Sequence, residues 1–499
     1  MFNVFLKGND FRYEIGELLK LFMKPEQFRF IESKDLVQEQ CFLLECNLID
    51  KEHSSIVRVQ LIKDSHSVST EKIIDHKIGM NETDRRKILK RKMKLCIYEL
   101  LKEQFKIEKP WGILTGIRPT KIVHELMDDQ LPNPEIIKIL SDNYCISDEK
   151  IKLMMAISEI ERPYIYPHKD DTVSVYISIP FCPSRCLYCS FPSNPIEVGK
   201  TNIVKEYLEA LKREIKGMGD FFKKHHKKIS TLYIGGGTPT TLSQNELSNL
   251  LEYLHNQFDL KDISEITVEA GRPDTVTKDK LKALKEHGID RISINPQTMN
   301  LSTLKLIDRK HTPEDIEEAV AMARELRFRT INMDLIVGLP NEKPFMIEHT
   351  MKKITDLKPE NLTVHSLAIK NSSILKSNTN DFDIPREEEA REMLEITKNY
   401  AKKMGLIPYY MYRQKYMVGN LENIGYCLPK HECVYNIEIM EERKTIIGLG
   451  AGAISKIFYP NENRLERIPN VTSIEHYIRR VDEMLKRKSA ELSKSTNCS

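Results

Sequence analysis

From about residue 172, the chain of 499 residues alternates short β-rich runs with helical ones through six strands. The strand-like runs are Val173–Ile179, Thr231–Ile234, Glu265–Glu269, Arg291–Asn295, Thr330–Val337 and Asn361–Leu367. Between them lie the helical stretches Val204–Lys216, Gln244–Gln257, Lys278–His287, Pro313–Leu326 and Phe345–Leu357. Strands linked in succession by helices predict an α/β fold with a parallel sheet, open or closed as a partial barrel. In either form, function sits at the C-terminal ends of the strands. The residues just past each run are therefore where chemistry is sought.

The flanks read differently. Residues 1–165 carry β-rich runs at Gln27–Glu32, Cys41–Leu48 and Ser55–Lys63, then a helix from Thr83 to Phe105 capped by Thr83 or Asp84, and are expected to form an α+β N-terminal domain of unassigned role. The first part of that helix is strongly basic, with Arg85, Arg86, Lys87, Lys90, Arg91, Lys92 and Lys94. It reads as a solvated face, with an anionic partner as the alternative. The run Lys109-Pro-Trp-Gly112 opens a structured loop around the only tryptophan. Residues 166–385 hold the alternating core, and 386–499 a smaller C-terminal domain. In the latter a helix near Arg386–Met404 precedes strands around Tyr409–Tyr416 and Tyr435–Met440. A helix near Ile474–Arg487 and a disordered Ser/Lys tail follow.

Composition narrows the class. Seventy-six basic against seventy-three acidic residues give a net charge of +3, which supports no nucleic-acid partner. No apolar run reaches the roughly 18 residues of a membrane span. Lys7, Asp10, Glu14 and Glu17 interrupt the first residues where a signal peptide would be apolar, so a cytoplasmic chain is expected. Ten cysteines scattered over this length are no disulfide framework.

Three of the ten are bunched in the loop after the first strand, Tyr176-Ile-Ser-Ile-Pro-Phe-Cys182-Pro-Ser-Arg-Cys186-Leu-Tyr-Cys189. At this cysteine frequency, roughly four chains in a thousand would carry such a trio by accident. Soft thiolates this close suit an iron–sulfur cluster or zinc. A closed zinc site wants four ligands, and no His or further Cys lies near the loop. Further on, Thr231–Ile234 runs into Gly235-Gly-Gly-Thr-Pro239, where missing side chains let the backbone approach a ligand. Glu269 ends the third strand, Gln297 follows the fourth and Asp334 lies within the fifth. The planar fork of Arg309 suits a carboxylate.

The C-x3-C-x2-C spacing is similar to that of the radical SAM superfamily. The resemblance implies a partial (β/α)6 barrel and a [4Fe–4S] cluster on Cys182, Cys186 and Cys189. The open iron of that cluster binds S-adenosylmethionine (SAM), which is cleaved to a 5′-deoxyadenosyl radical. Five runs narrow the resemblance to the oxygen-independent coproporphyrinogen III oxidase family: Tyr176–Cys182, Gly235–Thr240, Ile292–Gln297, Asp308–Thr312 and Asn332–Pro340. Gly448-Leu-Gly-Ala-Gly-Ala-Ile-Ser455 resembles that family's C-terminal signature, and the N-terminal region resembles its coproporphyrinogen dehydrogenase-like branch. What this implies is a first SAM contacted by Tyr176, Gly236, Glu269 and Arg309. Tyr188, Gly237, Thr238, Gln297, Asp334, Ala368 and Ile454 match further nucleotide positions, some belonging to a second SAM.

The implied reaction is oxidative decarboxylation of two propionates of coproporphyrinogen III to vinyls in haem biosynthesis. Its partners would be a tetrapyrrole and a low-potential electron donor such as ferredoxin or flavodoxin. Arg272, Lys310 and His311 are candidate anchors for the substrate carboxylates. This sequence departs from the family pattern in having Ser178 where the oxidase has histidine, in Ser190 and Phe191 after Cys189, and in its longer N-terminal domain. The alternatives are a haem-binding chaperone of the same fold, with Cys427, His431 and Cys433 as candidate iron ligands, and other radical tetrapyrrole chemistry.

Overall fold

The computed structural model describes residues 1–37, 40–76, 79, 81–116, 118–169, 171–191, 194–195, 201–377, 381–415 and 417–497. They fall into two compact units, Met1–Met155 and Ala156–Ser499. Among the described residues, no helix is long and apolar enough to cross a membrane.

The first unit is built on five strands, β1 (Phe2–Lys7), β2 (Phe28–Ile31), β3 (Phe42–Asp50), β4 (Ser54–Lys63) and β5 (His66–Asp75), in the order β2-β1-β3-β4-β5. The helix Glu82–Phe105 packs Leu89, Met93, Ile97 and Leu101 into a core with Val4, Leu44, Val57 and Val59. Its cap is Asn81, which accepts from the Asp84 N–H at 2.8 Å, and not Thr83 or Asp84. Much of the basic stretch of this helix is met by acids within the unit. Arg86 forks onto Asp10 at 2.7 Å, Lys90 meets Glu14 at 2.7 Å, and Arg85 pairs with Asp50. Arg91, Lys92 and Lys94 donate to Tyr144, Asn143 and Thr115.

The second unit holds strands β6 (Thr172–Ile179), β7 (Phe181–Cys182), β8 (Asn194–Pro195), β9 (Lys228–Gly236), β10 (Glu265–Glu269), β11 (Arg291–Ser293), β12 (Thr330–Val337), β13 (Asn361–Ser366), β14 (Ile407–Tyr412), β15 (Asn423–Cys427), β16 (Ile446–Leu449), β17 (Ile454–Tyr459) and β18 (Arg464–Pro469). All but the short β7–β8 pair form one sheet, ordered β14-β15-β13-β12-β11-β10-β9-β6-β16-β17-β18. Its six middle strands, β6 and β9 through β13, are parallel. Alternate residues of each, such as Tyr176, Tyr233, Glu269, Ser293, Asp334 and His365, line one cavity. The sheet thus curls around that cavity as a partial (β/α)6 barrel. The intervening positions Val175, Ile177, Leu232, Val268, Ile292 and Ile331 are fully buried on the outer side.

The segment 386–499 adds strands to both edges of this sheet rather than forming one of its own. Two expectations for it are corrected. Val434–Glu441, which contains the run read as a strand, is a helix. The alternation Tyr435-Asn-Ile-Glu-Ile-Met440 favours a strand, but Glu265 of β10 accepts from the N–H groups of Val434 and Tyr435 at 3.0 and 3.4 Å. That carboxylate caps the helix N-terminus from far away in sequence. The tail expected to be disordered continues the last helix, Ile474–Asn497, as far as the described residues go; Cys498 and Ser499 lie outside them.

What fixes that helix is a buried ion pair. Lys488 reaches Glu214 on the helix Thr201–Lys224, and both side chains are wholly buried. Glu214 also accepts from Tyr477 at 2.6 Å, the Gly450 N–H at 2.7 Å and Asn470 at 3.0 Å. Burial pushes the Lys488 ammonium pKa down, and Glu214 opposes that. Lys488→Met would leave a buried carboxylate without its cation, at a cost of about 3–5 kcal/mol. Thermal unfolding should therefore shift markedly downward. Lys216→Met, which breaks the exposed pair with Asp220, should leave it in place. Equal midpoints for the two variants would show that the buried pair holds nothing.

Candidate functional site

The site is assembled at the C-terminal end of β6. There the chain turns through Pro180 into the cysteine loop, which neighbours pin at several points. Leu187 N–H donates to the Ile307 carbonyl at 3.1 Å, Ser184 to the Asp308 carbonyl at 3.0 Å and Arg185 to the Ser372 carbonyl at 2.7 Å. Cys182, Cys186 and Cys189 all line the cavity, and all nine described cysteines are free thiols. The three sulfurs do not all lie within 4.8 Å of one another. A single tetrahedral zinc, with Zn–S of about 2.3 Å, would draw them to about 3.8 Å. The donor set is soft, partly buried and spread, which fits a polynuclear cluster. Burial pushes the Cys182 thiol up to about 11 and raises that of Cys189. Binding metal would therefore displace protons from this loop.

The glycine turn after β9 seats the loop. Gly237 N–H donates to the Ile179 carbonyl at 2.8 Å, and Thr238 N–H to the Phe181 carbonyl at 2.7 Å. A Cβ at Gly237 would lie 2.5 Å from the Phe181 oxygen, 2.9 Å from the Ile179 oxygen and 3.0 Å from Cys182 Sγ. Thr238 Oγ1 and Arg272 Nη1 each come within 3.6 Å of a cysteine sulfur, those of Cys182 and Cys186 respectively.

Glu269 closes β10 with its carboxylate inward, accepting from Tyr233 Oη at 2.7 Å and the Gly236 N–H at 3.2 Å. Burial, with Asp334 nearby, pushes its pKa up to about 7 against those two hydrogen bonds. Asp334 on β12 goes the other way. Burial would raise it, but His365 at 3.9 Å, Asn332 at 2.8 Å and Thr363 outweigh that and hold it below the usual range. Gln297 sits at φ +65° after β11, where its backbone bridges to Asp334 and Ile336. Arg309 is buried and donates to the Gly271 and Asn295 carbonyls at 3.0 and 3.1 Å and to Tyr188 at 3.2 Å. Ala368 follows β13, and Ile454 opens β17.

All fourteen residues singled out from the sequence as ligands or cofactor contacts line this cavity of about 610 Å³. Other candidates fall away. Arg272 lines it too, but is only 3 % exposed and forks onto Asp274 at 2.9 Å through Nε and Nη2. Lys310 is exposed and His311 is buried beside Asp274, and neither lines the cavity. Cys427, His431 and Cys433 do not converge on one point. His431 bonds Thr330 at 2.8 Å, and Cys433 donates to Glu265 at 3.2 Å.

Sequence reasoning missed the aromatic wall. Tyr435 stacks on Tyr233 at 4.5 Å and on Tyr176 at 6.0 Å, with Tyr410 and Tyr412 lining the cavity from β14. The alternation of Tyr410 and Tyr412 was the available signal. Tyr435 had none, because its helix is capped from β10.

Comparison with known proteins agrees with this geometry. The family model "Radical SAM superfamily" matches residues 176–354. The chain is 41 % identical over 425 residues to "Oxygen-independent coproporphyrinogen-III oxidase-like protein HemZ" of Bacillus subtilis, covering 84 % of each chain. It is 32 % identical over 308 residues to "Heme chaperone HemW" of the same organism, covering 61 % of this chain and 75 % of that one. The solved structure of coproporphyrinogen III oxidase (HemN) from Escherichia coli shares the fold. Its TM-score is 0.51 at 24 % identity, over 66 % of this chain and 73 % of that one.

The tight turn generates its own test. Gly237→Ala should destabilise the protein by about 1–3 kcal/mol, since the obstructing atoms are mostly backbone and cannot swing away. A denaturation midpoint unchanged from wild type would mean that the cysteine loop has room to retreat.

Proposed function

Because this chain belongs to the radical SAM family of oxygen-independent coproporphyrinogen III oxidase-like proteins, we propose that it decarboxylates propionate side chains of a porphyrinogen, coproporphyrinogen III first among them. The superfamily's [4Fe–4S] cluster and SAM are its cofactors. The observation that carries the proposal is the convergence of three free cysteines and eleven further residues on one cavity. Cys182, Cys186 and Cys189 would hold the cluster. Tyr176, Gly236, Glu269 and Arg309 would contact the first SAM. Tyr188, Gly237, Thr238, Gln297, Asp334, Ala368 and Ile454 would serve the remaining nucleotide positions.

When bound, these cofactors supply an electron and an organic radical able to take a hydrogen atom from carbon. The chain's own task is to hold and shield. Glu269 would accept hydrogen bonds from the methionine ammonium, Arg309 would serve the methionine carboxylate, and Asp334 would accept from ribose hydroxyls. The stacked tyrosines close the inner wall against water. Each propionate would lose a hydrogen atom from its β-carbon to the organic radical, then carbon dioxide and one electron, the electron passing to an external one-electron acceptor, leaving a vinyl group. A low-potential donor such as ferredoxin or flavodoxin would feed the cluster.

The relative named as a haem chaperone makes carriage of haem the second reading, and one experiment divides the two. Anaerobically reconstituted protein should bind about four irons and convert coproporphyrinogen III to protoporphyrinogen IX. Deoxyadenosine and carbon dioxide should match the vinyls formed. Alanine at all three cysteines should abolish iron and product together. Stoichiometric uptake of haem with no decarboxylation would hand the function to the carrier.

Glu269 sets a pH dependence. Its ligand-free pKa of about 7 means that SAM must displace a proton from it as pH falls. SAM affinity should be flat above pH 8 and about tenfold weaker at pH 6, and Glu269→Gln should flatten the profile. The raised pKa also means that the folded state holds this proton more tightly than the unfolded chain. Its contribution to folding stability therefore declines as pH rises from the ordinary carboxyl range through about 7. A wild-type profile as flat as the variant's would remove Glu269 from the SAM site.

A further inference from the structure

A substrate that carries several carboxylates needs cations, and the three inferred from sequence do not supply them. Five basic side chains line the cavity: Arg272, Arg291, Arg309, Lys370 and Lys456. Arg272 is spent on Asp274, and Arg291 on Glu265 at 3.3 Å and the carbonyls of His431 and Glu432. Lys456 meets Glu442 at 2.9 Å and the Ile439 carbonyl at 3.0 Å. Arg309 holds two carbonyls and Tyr188. Among the described residues, none engages the Lys370 ammonium through an acid or a carbonyl.

Lys370 is also firmly placed. It follows β13 in a segment tied to the cysteine loop by Arg185 on the Ser372 carbonyl at 2.7 Å and by Leu375 N–H on the Leu187 carbonyl at 2.9 Å. Ser373 caps the Lys370 carbonyl through both its N–H and its hydroxyl, at 2.9 and 2.7 Å. The side chain is half-buried, and burial pulls its pKa down, with Cys189 as the neighbouring charge acting on it. A partly desolvated ammonium with no carboxylate or carbonyl partner is a site for an anion.

We propose that Lys370 is the carboxylate-binding residue of this cavity, holding one propionate of a tetrapyrrole at the cysteine end. This rests on the reading above that the ligand is a propionate-bearing tetrapyrrole. One such cation in a lining that otherwise offers neutral Ser293, Asn295, Asn332 and Thr363 and the carboxylates of Glu269 and Asp334 means that one carboxylate is gripped inside. The others must reach solvent. Two rounds of decarboxylation then require the macrocycle to turn or to leave between them.

The test is fluorescence titration of reconstituted, anaerobic protein with coproporphyrin III, its tetramethyl ester and haem, beside a SAM titration of the same samples. Lys370→Met should bind coproporphyrin III about ten- to a hundredfold more weakly. Its affinity for the ester and for SAM, and its cluster EPR signal, should stay as in wild type. Lys370→Arg should recover most of the loss. Equal coproporphyrin III affinity in wild type and Lys370→Met would overturn the proposal, and so would a loss confined to SAM, which would assign the carboxylate to methionine. Should wild type bind haem alone, with Lys370→Met losing it, Lys370 keeps its role and the decarboxylase reading falls. Binding of neither tetrapyrrole would sink both.

Discussion

The end of β6 is approached on both sides by backbone that leaves no space for a side chain. On one side Gly237 rests against the Phe181 and Ile179 carbonyls. On the other, a Cβ at Gly450 would lie 2.5 Å from Tyr207 Oη and 2.6 Å from the Ser178 oxygen. These two contacts register β9 and β16 on β6, and the cysteine loop leaves from between them. Tyr207 donates to the Ser178 carbonyl at 2.6 Å and accepts from the Ala451 N–H at 3.2 Å, so one hydroxyl joins the strand end to the Gly450 turn. Behind that turn stands the Glu214–Lys488 pair. A buried charge behind the cavity lining thus sets the wall from which the cysteine loop leaves.

The cavity exists because the barrel's inner positions are not filled as a core. Small closed barrels pack their interior with branched apolar side chains. Here the inward residues are Tyr176, Ser178, Tyr233, Thr267, Glu269, Ser293, Asn332, Asp334, Thr363 and His365. Such a lining holds only if its charges are met. Two of its carboxylates, Glu269 and Asp334, end at opposite shifts: Glu269 has only neutral donors and a like charge nearby, whereas Asp334 has His365. A difference of that kind between neighbouring acids keeps one poised near neutrality and the other ionised.

Much of this was legible from local pattern. The six parallel strands end within a few residues of their expected limits, because buried strands read as apolar runs between turn signals. The cysteine spacing and the strand-end polar residues lead to the same cavity. What local pattern cannot carry is a partner supplied from elsewhere. Glu265 turns an alternating segment into a helix across about 170 residues of sequence. Lys488 turns a Ser/Lys tail into packed helix because its counterion lies on the helix Thr201–Lys224. Arg272 looked like a free cation until Asp274, two residues on, proved to be its partner. Lys370 drew no notice because its neighbours in sequence say nothing about which wall it stands on.

The departure at Ser178 takes its meaning from the same geometry. Its hydroxyl donates to the Ala451 carbonyl at 2.9 Å, which ties β6 to the Gly450 turn. A Cβ added at Gly236 would lie 3.0 Å from the Ser178 hydroxyl, and one added at Gly450 would lie 3.1 Å from Ser178 Cβ. The histidine of the oxidase pattern would therefore have to push one of these turns aside or reach into the cavity, whose wall Ser178 already forms. None of the three cysteines touches Ser178 through a hydrogen bond; its bond runs to the Gly450 turn instead. The change therefore acts on the room beside the cysteine loop and leaves the donor set of that loop as it is.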